Sequence, residues 1–547
     1  MMKKRLTKSL FWLAGAGLLL FAVIVALWLV GEDGLSADAL RNAELAPTIA
    51  DSSGVAINSA FKLEGENRLR AADIQVITQT DPQLEMGFHQ GANKKTVLLA
   101  PAAPLAPATV YRFNLTAQGE IFSYAFETQS DFNVVSVAPA AANVDTNSPV
   151  VICLNKSNYI DPAPYWKITP AVEGEFALNG RALLFIPTEE FAAETTYTVT
   201  LAAEYPYLDS KQTLGSDYSF SFTTAAKGWQ EEPVTVVEKP IIDVKPVSYQ
   251  PMEDETVFVV IGDTDKIALL EDLADLAQSK KQYNCSQVLG SLYASRFLSE
   301  YDKNFEFLRR AYFDVSGYQT ESGGCSYIPG GEDYPLLALL VAILDTAQFN
   351  KTRLHDYFVR LACSEDSLER AYALCALASF GDPVLNEIKS TFAYGKPDVT
   401  QRLALILGLH LLGDEIGAAE KYEQLANDYQ IALQQDRVDE EGLNHFELKS
   451  SNPLALIVAA TIAKPEVYLE ALAQGAQAAP LVRYLADTAC LKRLVGKGAG
   501  SYLLDDQRTE FVLTDNKEIC LLLPTKRIKD FDLDARRSKL DHFLLFR

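Results

Sequence analysis

Two cysteine-containing segments are the first places in this 547-residue sequence where chemistry could occur. The first covers residues 281–288 around Cys285, and the second covers residues 322–334, in which two glycine pairs flank Cys325. Because glycine permits positive φ, such pairs either shape an ordinary loop before a helix or form a ligand-binding loop. The two cysteines are accordingly either reactive thiols or buried residues that serve as small apolar side chains.

Motifs typical of common enzymes are absent: there is no Gly-x-Ser-x-Gly, no His-Glu-x-x-His and no Walker loop. Asp530, Asp532, Asp534 and Asp541 occupy positions 1, 3, 5 and 12 of a calcium-loop register. Position 6 of such a loop needs glycine, but the residue there is Ala535, so a strand with solvated carboxylates is the favoured interpretation. We therefore expect no catalytic residues, no metal site and no other cofactor.

The charge balance excludes one class of partner. The chain has 49 Lys and Arg residues against 72 Asp and Glu residues, and its net charge is −23. Because an acidic protein repels phosphate backbones, we expect no binding to nucleic acid. Seven cysteines in a chain of this length are too few for a disulfide scaffold.

The N-terminus carries a targeting segment. Basic residues cluster within residues 3–8, and an uncharged, mostly apolar run follows over residues 10–30. A helix of this length spans the roughly 30 Å hydrocarbon core, and the basic cluster keeps the N-terminus in the cytoplasm. We predict a signal anchor within residues 1–31 of a single-pass plasma-membrane protein whose bulk is extracytoplasmic. The alternative is a signal peptide cleaved after Ala37-Asp38-Ala39.

The next region alternates apolar and polar residues at period two, which predicts strands buried on one face. It contains a repeat: Tyr111 and Tyr197 belong to one match at an offset of 86, and residues 122–128 match residues 218–224 at an offset of 96. The second copy has therefore gained ten residues in one hairpin loop. The repeat predicts two β-sandwiches in tandem, of which the second resembles bacterial Ig-like domains. Their predicted bounds are 44–131 and 132–225.

The second half of the chain changes to a helical pattern. Prolines punctuate residues 226–262, which predicts an extended linker. Over residues 263–497, runs that are apolar on every side, such as 403–412, alternate with amphipathic runs. Since an all-apolar helix must be surrounded by protein, this alternation predicts a two-layered helical ring or an open solenoid. Residues 498–547 return to strand-like alternation.

Residues 265–547 resemble the C-terminal part of bacterial alpha-2-macroglobulins. The run Lys281-Gln-Tyr-Asn-Cys-Ser-Gln-Val288 is similar to the thioester segment of that family, and residues 322–334 are similar to its glycine-rich signature loop. The residues that carry the second likeness are Gly323, Gly324, Cys325, Tyr327, Pro329, Gly330 and Gly331. The resemblance implies an α/α toroid at 263–497, a CUB-like β segment at 498–547, and an envelope protein related to protease traps.

The thioester motif, however, is degenerate. In the family, the cysteine is acylated by a glutamine three residues further on, whereas Cys285 is followed by Ser286, Gln287 and Val288. Valine has no carboxamide, and Gln287 is one residue too near to close the same ring. The chain also lacks the family's bait region. These departures imply a non-catalytic, membrane-anchored relative that binds proteins non-covalently, a protease or an envelope protein, or acts as a surface scaffold.

Two other function classes stay open, a lyase- or cyclase-like enzyme of helical-ring architecture and a helical-repeat scaffold. The resemblance also bears on Cys325, which stands where the family usually has an aromatic residue. In a toroid the inner helices are parallel, so Cys325 and Cys285 would lie at the same end of the ring. We therefore predict that Cys285 and Cys325 form a disulfide or an interacting pair of thiols.

Overall fold

The structure of the chain, a computed structural model, describes the folded parts on either side of the proline-rich region. The described residues are 35–226 except 52, 130, 141, 157, 180 and 209–211, then 256–262, 264–279, 284–301, 315–428, 452–473, 478–494, 499–504, 507–512, 519–524 and 542–546. The predicted anchor, most of the linker and the four aspartates of the calcium register lie outside these residues. Within them, no helix has both the length and the apolar character needed to cross a membrane.

The contacts divide the chain into two units, and the first contains one β-sandwich with two short helices. One sheet has the strand order β1-β4-β7-β6 and the other has the order β5-β8-β9. The strands are β1 Glu44–Pro47, β2 Ala50–Asp51, β3 Gly54–Val55, β4 Phe61–Glu64, β5 Thr78–Asp81, β6 Met86–Gln90, β7 Thr96–Pro101, β8 Val110–Ala117 and β9 Glu120–Glu127; the helices are α1 Ala37–Arg41 and α2 Ala71–Ile77.

The first sandwich begins earlier than the sequence predicts. Helix α1 buries Ala37, Ala39 and Leu40, and Leu40 belongs to the core that Phe61 and Phe113 fill. The predicted start at residue 44 is therefore wrong by about seven residues, because the pattern of a five-residue helix is too short to detect. The Ala37-Asp38-Ala39 tripeptide is part of this folded domain.

The second sandwich opens the second unit and repeats the topology of the first. Its sheets have the orders β10-β11-β14-β13 and β12-β15-β16, which correspond strand for strand to those of the first copy. The strands are β10 Val134–Ala138, β11 Val150–Leu154, β12 Trp166–Thr169, β13 Gly174–Asn179, β14 Ala182–Pro187, β15 Thr196–Leu201 and β16 Tyr218–Thr223. The ten extra residues lie between β15 and β16, which confirms the predicted site of insertion.

Hydrogen bonds explain why the repeated residues recur. The hydroxyl of Tyr111 accepts from the backbone N–H of Ala106 at 3.0 Å, and the hydroxyl of Tyr197 accepts from that of Ala192 at 2.8 Å. At the end of each last strand, a threonine hydroxyl donates to the same alanine's carbonyl oxygen, at 2.6 Å in both copies. Each network fixes the corner that leads into the strand carrying the tyrosine, so the repeat preserves a buried hydrogen-bonded corner.

The helical region consists of buried helices alternating with amphipathic ones. The buried helices are α4 Cys285–Tyr301, α5 Pro335–Leu344, α7 Ser367–Phe380, α9 Val399–Leu411, α11 Pro453–Thr461 and α13 Pro480–Arg493. The others are α3 Thr264–Gln278, α6 Lys351–Leu361, α8 Leu385–Tyr394, α10 Glu415–Asp428 and α12 Pro465–Ala473. Helix ends follow the local sequence: Asp366 and Asp398 cap α7 and α9, and Gly381 ends α7 at a φ of 86°.

The buried helices pack against one another. Helix α7 lies between α5 and α9, α11 lies between α9 and α13, and α13 packs against both α3 and α4. Among the described helices, α13 at the end of this region contacts α3 and α4 at its start, and the choice between a closed ring and an open solenoid stays a prediction.

The last strands form two small sheets, and one of them corrects a predicted boundary. Strand β17 Thr256–Gly262 pairs antiparallel with both β20 Ile519–Pro524 and β21 His542–Phe546, while β18 Ala499–Leu504 pairs with β19 Gln507–Val512. The predicted linker at 226–262 is thus wrong for its last seven residues. Their β-branched, proline-free sequence favours a strand, and the C-terminal segment supplies its partners.

Candidate functional site

Cys285 is the first residue of α4, and the chain around it follows the rules of a helix start. The side-chain oxygen of Asn284 accepts from the backbone N–H of Gln287 at 3.0 Å, which makes Asn284 the N-cap. The backbone N–H of Cys285 cannot bond within the helix, and it donates instead to the carbonyl oxygen of Tyr327 at 2.9 Å. The glycine-rich loop and the start of α4 are therefore joined directly.

The thiol of Cys285 is inaccessible. Its residue is fully buried, and burial raises the pKa of the thiol to about 12. The charge of a Cys285 thiolate would also raise the pKa values of Cys325, Tyr318 and Tyr327, beyond the larger effect of burial on each. Because the thiolate is the nucleophile, a buried cysteine with a raised pKa is a weak one at neutral pH.

The residues after Cys285 serve packing. The hydroxyl of Ser286 accepts from the backbone N–H of Leu481 at 3.2 Å, and the N-cap of α13, Ala479, has no side-chain acceptor of its own. Ser286 thus caps the neighbouring helix. Val288, three residues after Cys285, is 4% exposed, so apolar packing fills this position.

The loop of residues 315–334 is held by backbone bonds and by its glycines. The carbonyl oxygen of Cys325 accepts from the N–H of Tyr334, the N-cap of α5, at 2.8 Å. Gly323 has a φ of 88°, and a Cβ there would lie 2.3 Å from the backbone oxygen of Arg353. A Cβ on Gly324 would lie 2.6 Å from a carboxylate oxygen of Asp333. The first glycine pair therefore permits close approach of the loop to α6.

The second glycine pair, Gly330 and Gly331, lies in a more exposed part of the loop. Gly330 has a φ of 70° with no atom near its missing Cβ, so its requirement is conformational alone. A Cβ on Gly331 would lie 3.0 Å from Ile328. The rings of Tyr327 and Tyr334 meet edge to face, with centroids 4.9 Å apart, and Ile328 stands 58% exposed beside them. Pro329 lies in the same exposed turn.

Three residues that hold this loop escaped the sequence analysis. The carboxylate of Asp333 accepts from the hydroxyls of Thr320 and Ser322. From α6, Arg353 donates to the carbonyl oxygens of Thr320 at 3.1 Å and Glu321 at 2.8 Å, and Arg360 donates to that of Ser322. An Arg-x6-Arg spacing that places two guanidinium groups on one helix face is the only sequence signal that could have found them.

Cys285 and Cys325 are free, fully buried thiols, so the disulfide form of the prediction is absent from the structure. The second form, an interacting pair of thiols, stays a prediction: Cys285 begins α4, whereas Cys325 lies in the loop before α5, where its carbonyl oxygen accepts from the N–H of Tyr334. Burial, the charge of Cys285 and the charge of Asp333 all raise the pKa of Cys325. Both thiols therefore stay protonated at neutral pH, which suits small apolar core residues.

Comparison with known proteins gives one family match and several structural likenesses. A family model described as a bacterial Ig-like domain matches residues 127–224, which confirms the second sandwich as that fold. A search of curated proteins by sequence found no match.

Among solved structures, the chain is similar to native alpha-2-macroglobulin from Escherichia coli, at 10% identity and a TM-score of 0.34, over 92% of this chain and 39% of that one. A crystal structure of that protein from domain MG7 to the C-terminus matches at 13% identity and a TM-score of 0.35. The match covers 76% of this chain and 73% of that one. The form activated by porcine elastase matches at 11% identity and a TM-score of 0.29. The match covers 92% of this chain and 54% of that one. The chain thus spans well under two thirds of the length of two of these three structures.

Proposed function

We propose that this chain is an extracytoplasmic alpha-2-macroglobulin-like protein that binds other proteins non-covalently, presenting an α/α toroid on an Ig-like stalk. One observation carries the proposal. At the position of the family's reactive cysteine, Cys285 is fully buried with its pKa raised to about 12, and Val288 fills the place of the acyl donor. A site of this kind offers neither a thioester nor an exposed nucleophile, so covalent capture is not part of the proposed activity.

The signature loop supports a binding role in place of a chemical one. It is fastened to α6 by Arg353 and Arg360 and to α4 through Cys285, yet it leaves Ile328 and Tyr334 58% and 49% exposed. Exposed apolar side chains on a fixed backbone bind with little loss of conformational entropy. We therefore expect a partner protein, a protease or an envelope protein, to contact this loop.

Membrane anchoring is part of the proposal, and helix α1 supports it over cleavage. A cut after Ala39 would detach Ala37 and Ala39, both buried in the first sandwich. Cleavage there would remove part of a packed core and would not release an intact domain. We expect the mature protein to keep its N-terminal residues and to remain with the membrane fraction at high salt, as N-terminal mass analysis of that fraction would measure. A mature N-terminus at Leu40 would contradict anchoring.

The binding test uses the full chain in detergent with porcine elastase or an envelope extract, analysed by size exclusion and by denaturing gel electrophoresis. We expect a complex that elutes together in size exclusion and dissociates on the denaturing gel, with no thiol released by methylamine. Cys285→Ala is the matched variant and should bind as wild type does. An adduct that survives denaturation, and that methylamine or Cys285→Ala abolishes, would show a working thioester.

An enzyme remains the weaker proposal. His355 and Asp382 form an imidazole–carboxylate pair with Nε2 and Oδ2 2.9 Å apart, and hydrogen bonding to Asp382 raises the pKa of His355 against the opposing effect of burial. However, His355 lies on α6, an amphipathic helix of the outer layer, and not among the buried helices where a toroid enzyme would hold its substrate. No described observation favours a lyase or cyclase over a binding protein.

A further inference from the structure

A second pair of cysteines lies where the second sandwich meets the helices. Along β11, Val150, Ile152 and Leu154 point into the sandwich core, so Cys153 points out of it by strand alternation. Cys363 follows the end of α6, is 8% exposed, and donates from its Sγ to the carbonyl oxygen of Val359 at 3.4 Å. One cysteine thus comes from each of two domains that are distant in sequence.

The two thiols share one cavity. Its walls come from both domains, and its polar lining consists of Ser136, Cys153, Arg181, Cys363, Asp382 and Glu387. The interaction between the two thiols has the largest effect on the pKa of each. A salt bridge of 2.7 Å between Arg181 of the second sandwich and Glu387 of α8 joins the two domains at this cavity, with both side chains largely buried. The two thiols therefore lie in one cavity at the contact between the second sandwich and the helices.

The charges in this cavity distinguish the two sulfurs. The interaction with Cys363, the charge of Arg181 and a hydrogen bond from Ser136 lower the pKa of Cys153, against burial and the charge of Glu387. The pKa of Cys363 is raised by its interaction with Cys153 and by burial. Of the six cysteines whose side chains the structure describes, Cys153 is the one whose pKa is lowered. A thiol of lowered pKa near a guanidinium, with a second thiol in the same cavity, is the arrangement of an attacking and a resolving cysteine.

We propose that Cys153 and Cys363 are a disulfide-forming pair that cross-links the second sandwich to the helical domain. The oxidant is a small-molecule or protein disulfide. The Cys153 thiolate attacks one sulfur of that disulfide, forming a mixed disulfide and releasing one thiolate, which takes up a proton. The Cys363 thiol then loses its proton and attacks the Cys153 sulfur, forming the new bond and releasing the second thiol. The two protein thiols together lose two electrons, and the oxidant disulfide gains them and becomes two thiols.

The cross-link would fix the relative position of two domains joined at this contact. It closes a loop that contains more than two hundred residues, so it restricts the unfolded chain strongly. We expect the melting temperature of the second sandwich and helical domain to rise by about 5 °C or more on oxidation. The pair does not depend on the proposed partner binding, because the cavity is separate from the loop that carries Ile328 and Tyr334.

The experiment treats the full chain with oxidised glutathione or with dithiothreitol, blocks free thiols by alkylation, and maps disulfides by mass spectrometry. We expect one cross-link between the peptides that carry Cys153 and Cys363, and the melting-temperature rise in the oxidised sample alone. In Cys363→Ser, glutathione should remain attached to Cys153. Cys375→Ala, which removes a buried cysteine outside the pair, is the matched control and should keep the cross-link.

Either of two results would overturn the proposal. One is complete alkylation of Cys153 and Cys363 in wild type after exposure to oxidised glutathione. The other is a cross-link of Cys153 to a different cysteine. Because the mapping is done on the wild-type chain, the outcome does not depend on whether any variant folds. The same maps also report whether Cys285 and Cys325 become oxidised, which separates the two pairs.

Discussion

At the scale of single residues, a serine in the segment after Cys285 has a packing role. Ser286 caps α13 from a neighbouring helix, and its hydroxyl is the acceptor for the N–H of Leu481. Ser286→Ala leaves that buried N–H without a partner, so we expect a loss of about 1–2 kcal/mol in the free energy of unfolding. Urea denaturation measures the loss. Ser299→Ala on the same helix, where the hydroxyl bonds only to its own turn, is the control. Equal losses in the two variants would contradict a capping role.

A second residue makes stability depend on pH. Asp487 is fully buried, and burial raises its pKa to about 7 although Arg483 and the hydroxyl of Tyr468 both lower it; Asp272, the salt-bridge partner of Arg483, raises it slightly. The folded protein therefore holds this proton more tightly than the unfolded chain does. Its contribution to stability is fully present below about pH 4 and is lost as the pH rises to about 7.

Asp487→Asn keeps a neutral acceptor for Tyr468 at every pH, so this contribution no longer titrates. We expect the melting temperature of the variant to change less between about pH 5 and about pH 8 than that of wild type. Thermal melts at both pH values make the comparison, and Asp131→Asn, an exposed aspartate, corrects for the loss of one charge. An unchanged difference between the two pH values in Asp487→Asn would show that this carboxyl does not titrate in the range.

At the scale of elements, helix contact explains one glycine that the sequence leaves unexplained. A Cβ on Gly290, in the middle of α4, would lie 2.6 Å from the backbone carbon of Pro480 at the start of α13. A Cβ on Gly408, in the middle of α9, would meet only the flexible end of Ile388 at that range, at 2.9 Å. We expect Gly290→Ala to lower the free energy of unfolding by about 1–3 kcal/mol, because the backbone of Pro480 cannot move aside. Gly408→Ala should leave the free energy of unfolding nearly unchanged, because the side chain of Ile388 can move. Chemical denaturation distinguishes them, and equal costs would contradict the argument.

Much of this organisation can be predicted from local patterns. Period-two alternation and the repeat around Tyr111 and Tyr197 predict two sandwiches of the same topology, and alternating apolar and amphipathic runs predict two helical layers. Contacts between distant residues carry no local signal. In the sequence, Arg353 looks like an ordinary surface arginine, and only the structure shows that it contacts the loop at 315–334. Cys153 likewise looks like an ordinary strand residue, and only the structure shows that α6 packs against its strand. The segment around Cys285 could be singled out from the sequence, but its burial could not be predicted.

At the scale of the whole molecule, the chain before the helices and the chain after them form one sheet. Strand β17 is central in that sheet, where Val259 pairs with Leu521 on one side and Leu545 on the other. Proline in a central strand removes a ladder hydrogen bond, so Val259→Pro should detach the C-terminal strands. Thr256→Pro, at the first residue of the strand and paired on one side only, is the control.

Limited trypsin digestion with mass analysis should show the region after residue 499 cut much faster in Val259→Pro than in Thr256→Pro. Equal rates would mean that the tail is held by contacts other than β17, and that residues 256–262 act as linker after all.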